Sequence, residues 1–293
     1  MENLQKTNIS TTLRNYCNRY KSTKKNDQGV NKAAASLKGV SPATISQILA
    51  GNWDLITDDM FRNVAAQIGY KEGKWQPIET NNFRLINQIL DDAKENSLVL
   101  ALIGEAGSGK SFTLRHYTDN HQRVYMLCCS EDLNRRTFLV ELLTVLGKKD
   151  YTGNTISEMM AEVIRCLNTQ ESPLLIFDEA DKLSDQVLHF FITLYNQLED
   201  RCSIVLCATN FLEKRIRRGV KLNKRGYNEI WSRLGRKCVE LPGVTESDIV
   251  EMCETNGITG KKTIDAVLQD SEKDLRRVKR KIHATLKQYS KTV

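Results

Sequence analysis

Near residue 80 the chain changes the rhythm of its apolar and polar positions. From 83 to 243, near-continuous apolar runs alternate with stretches of helical period: "SLVLALI" (97–103), "RVYMLCC" (123–129), "PLLIFD" (173–178), "SIVLCAT" (203–209) and a weaker "RKCVELP" (236–242). Apolar runs without polar alternation predict parallel strands covered on both faces. Amphipathic stretches at 132–146, 155–168 and 185–198 separate them and predict helices. Strand and helix in alternation predict a three-layer α/β domain on a parallel sheet. From 244 onward the period is helical only, which predicts a small helical subdomain. Before the change, residues 10–21 read as a helix, 21–29 as a polar break and the next two short segments as helices. "GYKEGKWQP" (69–77), with glycines, charges and Pro77, reads as a linker. The expected order is a small all-α module over 1–70, a linker over 71–82, an α/β core over 83–243 and a helical lid over 244–293.

Residues 31–52, "NKAAASLKGVSPATISQILAGN", have the cadence of two short helices around a tight turn. Ala33–Leu37 is the expected first helix, Gly39 permits the turn and Val40 is its buried residue. Ser41 is a suitable cap with Pro42 in the first helical position. Ile45, Ile48 and Leu49 then form an apolar face, and Gly51 is the expected stop. Ala43, Thr44, Gln47 and Asn52 are left facing outward, small and polar types that suit a major-groove surface. Thr44 and Gln47 are the expected DNA contacts, with a protein-binding module as the alternative.

Composition narrows the class. With 293 residues, 40% apolar and 27% charged, the chain is an ordinary globular protein with room for two domains. No apolar run approaches a membrane span, and "MENLQKTNIS" has no secretory pattern. The eight cysteines form no Cys-x-x-Cys pair and there are only four histidines, so a reduced cytoplasmic chain without zinc is expected. The net charge of +7 is unevenly spread: residues 83–210 carry 12 Lys and Arg against 18 acids, while 211–241 carry 10 against 3. That local excess points to a polyanion partner. Its densest part, "KRIRRGVKLNKR" (214–225), holds Lys214, Arg215, Arg217, Arg218, Lys221, Lys224 and Arg225. Cations without interleaved acids neutralise phosphates and read no sequence, so duplex DNA is the expected partner. A solvated loop is the alternative.

The chemistry lies in two motifs. "GEAGSGKS" (104–111) follows a predicted strand and opens a predicted helix. Glycines let backbone N–H groups turn inward around phosphates, and the positive helix end adds to the attraction. Gly104, Glu105, Ala106, Gly107, Ser108, Gly109, Lys110, Ser111 and Phe112 are therefore the expected ATP-binding residues. Lys110 reaches the β- and γ-phosphates, and Ser111 ligates Mg²⁺. The second motif, "LLIFDE" (174–179), ends an apolar strand in an acidic pair. Asp178 is placed for Mg²⁺ and Glu179 for polarising the attacking water, which makes the chain an expected ATPase. Nothing in the sequence has the pattern of a nuclease or recombinase site.

"FDEAD", the strand "SIVLCATN" and the Ser-Arg of "IWSRLGRK" together resemble an AAA+ ATPase over residues 83–293. The resemblance implies that Asn210 helps position the water. It implies that Arg233 reaches the γ-phosphate bound by a neighbouring subunit, so that the active unit is a homo-oligomer. Such an arginine is worth about 10³–10⁵ in rate. It also implies that a lid arginine closes on the nucleotide, Arg276 in "KDLRRV" or Arg277 beside it. In relatives that encircle DNA, the neighbourhood of Arg135 and Arg136 faces the channel. The N-terminal segment resembles a Cro/C1-type helix-turn-helix. The whole order resembles the phage Mu transposition protein B group, which implies an ATP-dependent helical filament or ring on duplex DNA. That group selects target DNA, delivers it to a transposase and leaves when ATP is hydrolysed. A helicase loader or replication-initiation ATPase, and a nucleotide-switched transcription regulator, are the other readings.

Overall fold

The computed structural model describes residues 3–18, 20, 29–70, 75–148, 151 and 153–292. Its contacts divide the chain into Met1–Pro77 and Ile78–Val293. Residues 71–74 of the expected linker and 21–28 of the polar break lie outside the described residues.

The first unit holds α1 (Asn3–Asn18), α2 (Val30–Ser36), α3 (Pro42–Ala50) and α4 (Asp58–Gln67). Ile9 and Leu13 of α1, Ala33 of α2, Ile45 and Ile48 of α3, and Phe61 and Val64 of α4 share one buried core. Ser41 caps α3 by accepting the Thr44 N–H at 3.1 Å, and Gly51 ends it with φ 81°. The turn before α3 depends on Gly39 at φ 72°, a left-handed conformation that a side chain would strain. α2 starts at Val30, ahead of the expected Ala33.

The second unit runs α5 (Asn81–Glu95), β1 (Val99–Ile103), α6 (Lys110–Asn120), β2 (Val124–Cys128), α7 (Arg135–Val145), α8 (Ile156–Asn168), β3 (Leu174–Asp178), α9 (Asp185–Leu188), α10 (Phe190–Leu198) and β4 (Ser203–Ala208). It continues through α11 (Asn210–Lys221), α12 (Tyr227–Arg233), β5 (Val239–Glu240), α13 (Glu246–Thr255), α14 (Lys261–Ser271) and α15 (Leu275–Thr292). The sheet is parallel in the order β2-β3-β4-β1-β5. Alternate residues of each strand feed opposite cores. Ala101, Ile103, Leu175, Phe177, Ile204 and Leu206 face the core shared with α7, α8 and α10. Leu102, Ile176 and Val205 face Ile86 and Leu90 of α5 and Leu114 of α6. Both faces are covered, which is why these strands read as unbroken apolar runs.

Three expectations change. Residues 78–82 belong to the second unit rather than to a linker: Thr80 caps α5, and the Asn81 N–H donates to Asp248 Oδ1 at 3.0 Å. The helix expected over 185–198 is two helices that meet at His189. The basic segment is helical to Lys221, because Leu212, Ile216 and Gly219 present a buried face along α11 that the density of cations had masked. Among the described residues no helix is long and apolar enough to cross a membrane.

Candidate functional site

β4 lies between β1 and β3, so the loop after β1 and the acidic end of β3 open on the same edge of the sheet. The loop turns at Gly107 (φ 78°) and Gly109 (φ 91°), and Lys110 begins α6. Lys110 is buried, and its Nζ donates to the carbonyls of Gly104 and Glu105, each at 2.7 Å. Burial pushes its pKa down; Cys207 and Asp178 oppose that push, and Arg276 adds to it. Ser108 Oγ donates to the Glu105 carbonyl at 2.8 Å. Asn82 of α5 braces the loop from below, its Nδ2 donating to the Ser108 carbonyl at 3.2 Å. Ser111 lies in the first turn of α6. Phe112 is exposed and stacks on His116, with centroids 6.4 Å apart.

Asp178 is 1% exposed. Its Oδ1 accepts the Glu179 N–H at 3.0 Å, while Oδ2 is buried without a partner. A bare carboxylate oxygen in that position is costly unless a cation meets it. The donor set therefore fits Mg²⁺, with hydroxyl and carboxylate oxygens of the hard type that ion takes. Asn82 Oδ1 and Asn210 Oδ1 are also buried without partners. Glu179 sits in a left-handed turn at φ 56°, and its Oε2 meets Lys182 Nζ at 2.5 Å. Asn210 follows the end of β4 by two residues. The residue between, Thr209, caps α11 and donates its Oγ1 to Asp181 Oδ2 at 2.6 Å.

The lid meets the loop directly. The Leu275 N–H donates to the Gly107 carbonyl at 3.0 Å, and the Asp274 carboxylate lies where a methyl on Gly107 would have to go. Asp274 Oδ1 also accepts the Arg276 N–H at 2.7 Å. Of the two lid arginines, Arg276 is exposed and its charge is felt at Lys110. Arg277 is held by Glu272 at 2.8 Å and Asp270 at 3.8 Å. Arg233, at the end of α12, donates from Nε and Nη2 to Asn196 Oδ1 at 3.1 and 2.8 Å, and lies over the Tyr195 ring. Those partners belong to α10.

The cations divide by environment. Arg215 turns inward: it donates to the carbonyls of Asp181 (3.3 Å) and Leu183 (2.6 Å), pairs with Asp185 at 2.5 Å and donates to the Tyr227 hydroxyl at 3.2 Å. Arg136 is likewise committed, to the Asn154 carbonyl at 2.7 Å. Neither is a free cation for a phosphate, because charge-assisted bonds inside the domain already use their donors. Arg217 pairs with Glu213 at 2.7 Å and lies over Trp231. Lys224 is 3.9 Å from Asp185, and Arg135 lies over Phe190. Lys214, Arg218, Lys221 and Arg225 are exposed, and among the described residues no acid pairs with them. On α3 (Pro42–Ala50) the exposed positions are Pro42, Ala43, Ser46 and Ala50. Thr44 and Gln47 are half-buried, Thr44 being drawn within 2.9 Å of Ser41 Oγ.

Sequence reasoning missed Asn82, Lys182, Thr209 and Asp274. Asn82 and Lys182 lie in no motif, since their roles come from contacts across the fold. Asp274 had a local signal, an acid just before an amphipathic helix, which is a cap pattern.

Residues 93–216 match the AAA domain family model. The chain is 24% identical over 208 residues to the Mu-like prophage FluMu DNA transposition protein B of Haemophilus influenzae, covering 68% of this chain and 70% of that one. Among solved structures, the Aeropyrum pernix ORC1 protein in complex with DNA matches at a TM-score of 0.51 and 16% identity. The match covers 77% of this chain, and this chain spans 60% of that one. The second unit thus has the AAA P-loop fold, a five-stranded parallel sheet with helices on both faces and a helical lid.

Proposed function

We propose that the protein is an ATP-dependent DNA-binding ATPase that oligomerises on duplex DNA, selects target DNA and delivers it to a transposase, with hydrolysis driving release. The observation that carries this reading is one continuous bonded path. The turn after Asp178 and Glu179 is tied by Thr209 and Arg215 to α11, whose outer face holds unpaired cations. Similarity to a transposition protein B supports the remaining step, delivery to a transposase.

In this reading Lys110 exchanges the carbonyls of Gly104 and Glu105 for the β- and γ-phosphates, so the loop opens as the nucleotide enters. Ser111 and Asp178 would hold Mg²⁺, which would supply charge stabilisation to the phosphates. Glu179 orients and polarises the attacking water, and Asn210 fixes the position of that water. Arg276 closes from the lid, and Arg233 completes the site of the neighbouring subunit. Lys214, Arg218, Lys221 and Arg225 bind phosphates of duplex DNA without regard to sequence. The α2–α3 pair acts as a helix-turn-helix through the exposed face of α3.

Electron microscopy of the protein with duplex DNA tests this. ATP should give filaments or rings, and ADP should not; discrete monomers on one operator sequence would sink the reading. A Glu179→Gln variant should bind ATP, lose hydrolysis by at least about 10²-fold and persist on DNA. Faster departure from DNA than the wild type would show that hydrolysis does not drive release.

A further inference from the structure

A groove of about 640 Å³ opens between α8 and α10, beside the first residue of α7, and none of its lining residues belongs to the nucleotide site. Its floor is apolar: Met160 and Phe190 are buried, and Ile156 and Ile164 half-buried. The rim is serine, threonine, glutamine and alanine, apart from one charge, Arg135. Concave sites of about 300–1,000 Å³ with an apolar lining and few polar groups are the form that ligand sites take.

Arg135 is exposed, and among the described residues no acid pairs with it. Its guanidinium lies over the Phe190 ring, 5.1 Å from the centroid, which leaves its N–H donors for a planar acceptor. Arg136 beside it differs, having given a donor to the Asn154 carbonyl. The first turn of α8 also lines the groove, and the positive end of that helix adds to the charge of Arg135. The acid of that turn, Glu158, is held on the Thr155 N–H at 2.7 Å and does not line the groove. Charge complementarity therefore asks for one carboxylate beside apolar side chains. A lone cation among uncharged neighbours does not suit a nucleic-acid backbone, whose regular phosphates call for several.

We propose that this groove receives a segment of a partner protein in which large apolar residues flank an aspartate or glutamate. The apolar side chains cover Phe190, Met160 and Ile164, and the carboxylate accepts two parallel bonds from Arg135. An amphipathic helix laid between α8 and α10 meets both needs, with its anchors three and four positions apart. The inference stands on the groove alone and does not depend on the readings of the ATP and DNA residues.

Random peptides displayed on phage and selected against the full chain test it. Enriched sequences should combine an acid with large apolar residues. A fluorescein-labelled synthetic copy of the most enriched peptide is then titrated by anisotropy. Arg135→Ala should weaken its binding about tenfold or more. Replacing the peptide's acid by its amide should cost the wild type as much, yet cost the Arg135→Ala variant little more, because the two groups are coupled. Ala161→Arg, which fills the groove, should abolish peptide binding and leave ATP turnover and DNA affinity as in the wild type. No enrichment, enriched peptides without an acid, or binding unmoved by both substitutions overturns the inference. So does displacement of the peptide by duplex DNA, which would make the groove a nucleic-acid surface. Self-association of the wild type that Ala161→Arg abolishes would seat a second copy in the groove and overturn it equally.

Discussion

Gly107 is the most sterically constrained position in the nucleotide site. Its backbone is left-handed at φ 78°, and a side chain there would strike the Asp274 carboxylate. A Gly107→Ala change therefore meets two separate penalties, a backbone strain of about 1–3 kcal/mol and a collision with the lid. Calorimetric ATP titration and thermal melts should show weaker binding and a lower Tm. Adding Asp274→Ala should recover part of the loss, the part due to collision, because the two residues touch and their effects are coupled. No recovery would mean that backbone strain is the whole effect. The loop motif could be read from sequence at these positions because glycine spacing is a local property of the chain. The partner above Gly107 was not legible, since 167 positions separate it in the chain.

Helix α11 shows how one element divides its charges. Arg215 and Arg218 are three positions apart in the same basic run, yet one is bonded inside the domain and the other faces solvent. Arg215→Ala should cost about 1–3 kcal/mol of stability, since it leaves two carbonyls, Asp185 and the Tyr227 hydroxyl short of a partner. The changes Lys214→Ala, Arg218→Ala, Lys221→Ala and Arg225→Ala together should leave the denaturation midpoint nearly unchanged. They should weaken binding to every DNA sequence alike and lower the slope of log K against log salt by about 0.9 per lost contact. The two variants separate an arginine bonded inside the domain from the solvent-facing cations in a single experiment. pH adds a check. Burial pushes the Asp185 carboxyl up, but the bonds from Tyr227 and Arg215 outweigh it and hold it below its ordinary 3.8. A carboxylate with a depressed pKa in the folded state stabilises the fold above its unfolded value and loses that contribution as pH falls through the folded one. The stability gap between wild type and Arg215→Ala should therefore be full above about pH 5 and shrink as the pH drops below 3.8. A gap that widens in acid would contradict the assignment.

At the scale of the whole molecule the prediction concerns the proposed sharing of sites between copies. Arg233 rests on Asn196 and Tyr195 of its own chain, presented at the end of α12. If it completes a neighbour's site, Arg233→Ala should lower hydrolysis by about 10³-fold or more, and Lys110→Ala should abolish nucleotide binding. Mixed, the two inactive variants should regain hydrolysis, because a phosphate loop from one meets an arginine from the other. Mixtures as inactive as their components would place Arg233 in a role confined to its own subunit.

How much was legible in advance follows from the range of each interaction. Strand runs, the glycine loop, the acidic strand end and the cap at Ser41 depend on neighbours a few residues apart, so the order of letters specifies them. Which basic residues face solvent depends on the rotation of α11 against the core. Its buried Leu212, Ile216 and Gly219 turn Arg215 inward and leave Lys214, Arg218 and Lys221 outside. Packing likewise separates Arg276 from Arg277: Glu272 and Asp270 hold Arg277, while the charge of Arg276 is felt at Lys110. The chain's letters suffice for a nucleotide loop with an acidic strand and a concentration of cations. The fold alone decides which cations are bonded inside the domain and which face solvent, because burial and hydrogen-bond partners come from residues distant in sequence.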